Sequence, residues 1–265
     1  SNDASSFYGL NAGVLATSGS RITINGGSIT TSGSGANGAF PTGAGSTIVL
    51  NGVTIKATGG GAHGVMATNG GILILTDVDI TTTGTSGAPL ATDRGSGTVT
   101  ATRGTILCSG MNSPVIYSTG VITLNDVTGT ATGAEAAVIE GFNSITINNS
   151  TLAGGVAKTG GTMIYQSMSG DADAGTGTFT MTGGSYTTTA GPAFFVTNTN
   201  AVIALTGVKV TSTDTLIRAA GTSQWGTSGK NGGTVTFTAD NEALTGSLVT
   251  DSISSIAATL KDGSS

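Results

Sequence analysis

Four side chains able to do chemistry recur at intervals along this chain of 265 residues: Tyr117, Glu140, Tyr165 and Arg218. Gln166 follows Tyr165 directly, and Trp225 stands a few residues beyond Arg218. Two phenol rings, an indole, a carboxylate, an amide and a guanidinium form the set that a sugar chain requires. Aromatic rings stack on the apolar faces of pyranoses, and polar groups take the hydroxyls. Asp171 and Asp173 form an Asp-x-Asp pair within a glycine-containing stretch, the kind of oxygen donor that a calcium ion takes. The competing reading is that the tyrosines cover exposed sheet, while Glu140 is a solvated charge discouraging edge association.

Catalysis asks for more than this set provides. A polysaccharide lyase or hydrolase needs a base or an acid pair. Glu140 is the single carboxylate of the run, and Glu135 lies in a corner five residues earlier. His63 is isolated, and Asp93-Arg94 reads as a surface ion pair. The one cysteine, Cys108, reads as a small buried residue because its counterparts in neighbouring repeats, Ala57 and Thr82, are small. The expectation is therefore binding without catalysis, with a carbohydrate-active lyase as the alternative.

These residues are positioned by a repeat. Ile22-Thr23-Ile24-Asn25-Gly26-Gly27-Ser28-Ile29 returns in altered form from Ile48, Leu73, Val99, Ile122, Ile145, Phe179, Ile203 and Val235. A fixed period of two dozen residues marks a solenoid. Within each copy apolar and polar residues alternate with the period of a strand. Ile22, Ile48, Leu73 and their successors form one inward column, and Ile24, Leu50, Leu75, Leu124 and Ile147 form the next. Asn25, Asn51, Asn125 and Asn148, with Thr76 and Thr102 between, are expected to form a buried corner ladder. A second strand begins near Ile29, Ile55, Ile80 and Ile106.

A third strand precedes each copy, as in Gly13-Val14-Leu15-Ala16-Thr17, Gly64-Val65-Met66-Ala67-Thr68 and Pro114-Val115-Ile116-Tyr117-Ser118. Taking the largest residue of each as inward places Ala16, Pro41, Ala67, Ala91, Tyr117, Glu140, Tyr165, Val196, Arg218 and Thr250 in one outward ridge. At a coil spacing of roughly 4.8 Å, Glu140 would stand one coil from each tyrosine and about 14 Å from Arg218. Two long insertions, 167–175 and 221–231, both follow this strand and should project from one edge, where solenoids place binding loops.

Three strands per repeat with glycine, serine, threonine and asparagine corners predict a right-handed parallel β-helix, an all-β solenoid of about ten coils of three short strands. With the Asn25/Asn51/Asn125/Asn148 ladder, the chain resembles the pectate-lyase-like β-helix superfamily. The phrasing of Gly27-Ser28-Ile29-Thr30-Thr31-Ser32-Gly33 and Ala62-His63-Gly64-Val65 is similar to repeats of bacterial surface and autotransporter-passenger proteins. The resemblance implies a secreted or cell-surface, adhesin-like protein whose partner is a polysaccharide or surface glycan. It carries no catalytic motif with it.

Composition narrows the classes further. The net charge of −5 argues against nucleic acid, which recruits basic stripes. No apolar run approaches the roughly 18 residues of a bilayer span, so membrane insertion is not expected. Forty-five glycines and 9% charged residues would suit disorder, but the hydrophobic periodicity opposes it. Residues 1–265 therefore read as a single domain. Ser1-Asn2 looks like a tag remnant and the end falls inside a repeat, so a segment of a longer protein is expected. Phe7, Tyr8 and Leu10 are expected to cover the open first coil. Ice binding by ranked threonines is a third class, although the Thr30/Thr81/Thr130/Thr187/Thr211 column is broken by Lys56, Leu107 and Ala153.

Overall fold

The computed structural model describes residues 2–265, with the side chains of Asn2 and Asp3 outside the description. The chain winds into ten coils of a parallel β-helix. We number the coils by their strands in the first sheet: Val14–Ala16, Ala39–Pro41, Val65–Thr68, Leu90–Asp93, Ile116–Ser118, Ala137–Glu140, Thr162–Tyr165, Phe194–Thr197, Thr215–Ala219 and Ser247–Thr250. Each strand pairs in parallel with those of the coils before and after it. The second sheet holds the remaining strands, two per coil at first. In coils 4 and 5 these fuse into the continuous strands Gly97–Cys108 and Val121–Ala131. In coils 9 and 10 only one remains, Gly233–Asp240 and Ser255–Lys261.

The inward columns read from the sequence stack as expected. Ile22, Ile48, Leu73, Val99, Ile122, Ile145, Phe179 and Ile203 are register partners. In coil 9 the partner of Ile203 is Phe237 and not Val235, a two-residue slip that keeps both inside. One continuous core runs from Ala16 to Ala239. Cys108 is in it, and burial pushes its thiol up to about 12.

Glycine is abundant because the backbone corners stack closely. A Cβ on Gly84 would sit 1.9 Å from the carbonyl oxygen of Gly59, and one on Gly110 would meet that of Gly84 at the same distance. The asparagine ladder is real but not buried. Asn51 Nδ2 donates to Asn25 Oδ1 at 2.8 Å and Asn148 Nδ2 to Asn125 Oδ1 at 2.9 Å, all at half-exposed or exposed positions. Their corner turns outward, so the ladder satisfies polar groups at the surface.

The first sheet departs from the expected facing in coils 1–3. Leu15 pairs with Phe40, and Ala39 with Val65, so Leu15, Phe40 and Met66 share a column pointing outward. Ala16, Pro41 and Ala67 point inward. A one-residue slip turns every side chain of a strand to the other face. Phe40 and Met66 are nevertheless fully buried, because the N-terminal helix Asn2–Tyr8 lies over them through Phe7. Phe7 thus covers the outer face of the first sheet and not the open end, while Tyr8 and Leu10 are exposed.

Candidate functional site

A register offset of two residues reorganises the ridge. Tyr117 pairs with Val138, Val138 with Met163, Met163 with Phe195 and Phe195 with Arg218. Tyr117 and Arg218 therefore share one outward column. Glu140 and Tyr165, which pair with each other, lie in the next. Val196 points into the core. The expected single ridge is in fact two adjacent columns, bridged where Tyr117 reaches across.

That bridge is a buried carboxylate. Both Tyr117 and Tyr165 donate their hydroxyls to Glu140 Oε2 at 2.8 Å. The Ser167 hydroxyl donates to Oε1, and its backbone N–H does so at 3.3 Å. Glu140 is 1% exposed, so it is not the solvated charge that the sequence allowed. Burial pushes the Tyr117 and Tyr165 hydroxyls far above the ordinary phenol range, and the nearby carboxylate adds to this. They stay protonated donors at any physiological pH.

Both insertions leave the same corner and fold back over the first sheet. In 167–175, Gln166 Oε1 accepts the Met168 N–H at 2.8 Å, and its Nε2 donates to Ala172 O at 3.3 Å. Asp173 O accepts the Phe142 N–H. Asp171 reaches back to coil 4, where Arg94 Nε lies 3.5 Å from its Oδ1, and Ser169 Oγ donates to its other oxygen. Among the described residues no three metal-ligating side chains converge here or elsewhere. The Arg94 guanidinium in turn lies over the Phe7 ring at 3.7 Å. Asp93 does not pair with it as a surface ion pair. Asp93 is 6% exposed and accepts the Arg94 backbone N–H at 2.7 Å. Burial, with Asp171 and Glu140 adding to it, raises its carboxyl to about 7.

The second insertion carries Trp225 onto Tyr165, ring centroids 4.9 Å apart and planes inclined by 57°. Asn231 Nδ2 holds this loop by donating to Trp225 O and Thr222 O. Gln224 Oε1 accepts from Lys158 Nζ at 2.8 Å. Tyr117, Tyr165 and Trp225, with Lys158, Gln224 and Glu135, line a cavity of about 400 Å³. Compared with family models, with curated proteins and with solved structures, the chain matches none.

The other two site candidates lie elsewhere. Arg218 is exposed, with its guanidinium 5.4 Å from the Phe195 ring, outside this cavity. Gln166 is buried beneath its own loop and lines a neighbouring hollow with Asn198. Sequence reasoning missed Lys158 and Gln224. Each belongs to a corner without a register signature, and they meet only because the 221–231 loop folds back.

Proposed function

We propose that this β-helix is a non-catalytic, secreted or cell-surface protein of adhesin-like type that contacts carbohydrate on the outer face of its first sheet. The observation carrying this reading is the tilted Tyr165–Trp225 pair, which lines a cavity with Lys158, Gln224 and Glu135 at its polar positions. Indole and phenol supply apolar faces, and amide, ammonium and carboxylate supply hydroxyl partners. The likeness of the repeats to bacterial surface proteins and to the pectate-lyase-like superfamily supports the setting. The lyase alternative has weaker support, since Glu140 is enclosed by three hydroxyl donors. Calcium at Asp171 and Asp173 belongs to the same reading as a secondary proposal, although Arg94 already places a cation beside Asp171.

Glycan-array binding by the wild type and by Trp225→Ala tests the reading, with and without calcium. Binding that Trp225→Ala weakens several-fold supports it. Release of unsaturated products from uronate polymers would replace it with the lyase.

A second reading has one observation of its own. Thr100, Thr123, Thr146 and Thr180 are successive register partners facing outward on the second sheet. Such a rank suits ordered water at an ice surface, and thermal hysteresis of a dilute solution tests it.

A further inference from the structure

Resting on the carbohydrate reading above, we infer that the ligand is a neutral, unbranched glycan lying parallel to the axis of the rod in an extended trough. The cavity lined by Trp225 has a neighbour on the other side of Tyr117. A second cavity of about 360 Å³ shares Asn112, Pro114 and Tyr117 with it and continues to His63 and Phe7. Tyr117 lines both cavities, with the Trp225 ring at one end over coil 7 and Phe7, which carries Arg94 over its ring, at the other over coil 3. The distance is four coil steps, roughly 19 Å at ~4.8 Å per step. A single sugar would leave most of that length empty, whereas a linear chain running across the strands would fill it.

The charges decide which chain. Glu135, Asp171 and the enclosed Glu140 line or underlie the trough against the two cations Arg94 and Lys158, and Asp93, raised to about 7 by burial, adds part of a further negative charge near neutrality. His63 adds no positive charge near neutrality, since burial lowers it to about 4. The acidic excess repels a polyanion along its whole length, and the chain carries a net charge of −5 besides. Neutral hydroxyls meet no such penalty and find acceptors and donors on both walls.

The test is calorimetric titration of the intact protein with neutral linear oligosaccharides, from disaccharide to octasaccharide, of gluco-, xylo- and manno- series. Oligogalacturonates and oligoalginates of equal lengths serve as the charged arm. At least one neutral series should gain about tenfold or more in affinity between the dimer and the tetramer or pentamer, then level off. The uronates should bind at least about tenfold more weakly at low salt. Phe7→Ala should remove the gain with length while sparing the disaccharide. Trp225→Ala should weaken every length. Circular dichroism and melting of both variants, together with His63→Gln at the same far end, separate lost contacts from lost folding. Equal affinity for all lengths overturns the extended trough and leaves the carbohydrate reading standing. Tighter binding of uronates overturns neutrality alone. Absence of binding by either arm sinks both readings.

Discussion

Tyr165 and Glu140 are register partners on adjacent coils, and the phenol hydroxyl of one donates to the carboxylate of the other at 2.8 Å. Tyr117 reaches the same oxygen from the opposite side. A buried carboxylate needs such donors, because removing one leaves part of the charge unsolvated. Tyr165→Phe and Tyr117→Phe should each cost about 1.5–3 kcal/mol, the scale of a hydrogen bond to a charged group. Urea denaturation checks this, and unchanged midpoints would show the pairs to be idle.

The Tyr165 contact also alters what an alanine there can report. Surface exposure of Tyr165 would have let Tyr165→Ala weaken binding at constant stability. The residue is buried and bonded to Glu140, so this substitution should lower the melting temperature as well. Trp225→Ala is the sharper probe, since Trp225 is only partly buried. Losing one aromatic contact should weaken glycan binding several-fold, on the order of 1 kcal/mol. Thr30→Ala, on the second sheet, should leave binding unchanged in the same titration.

Asp93 and His63 set opposite pH dependences. Asp93 is raised from 3.8 to about 7, so the folded state holds its proton through a range where the unfolded chain has released it. Stability from this group falls as pH rises from about 4 to about 7. His63 is lowered from 6.5 to about 4, so stability from it falls as pH drops through the same window. The wild type should therefore show a flat melting profile there. Asp93→Asn leaves His63 unopposed and should lose stability on acidification from about pH 6.5 to 4. Parallel profiles for the two proteins would contradict the assignment.

Gly84→Ala should destabilise by about 1–3 kcal/mol through overpacking, because its Cβ would press into the Gly59 carbonyl. Ile147→Asp should cost several kcal/mol, placing an unpaired charge where exposure is zero. Thermal melting orders them, with Ile147→Asp the more severe. A reversed order would mean that the coils relax around charge more readily than around a methyl group.

The sequence by itself determined the coils. Strict alternation, repeated every two dozen residues, admits few solutions other than stacked parallel strands. The inner columns from Ile22 to Ile203 and the common edge of the two insertions follow from that alone. The facing of the first sheet was decided by tertiary structure. In Val14-Leu15-Ala16 and Val65-Met66-Ala67 every residue is apolar, so alternation is silent about which side is inside. Burial of both faces is the physical reason. The outer face of coils 1–3 is covered by Phe7 and its helix, and that of coils 6–8 by Trp225 and its loop. Those covers come from segments far away in the chain, and the local pattern carries no trace of them. The candidate site was legible as residue types, Tyr117, Glu140, Tyr165 and Trp225. Its depth, its partners Lys158 and Gln224, and the enclosure of Glu140 arise only where the loops fold back onto the sheet.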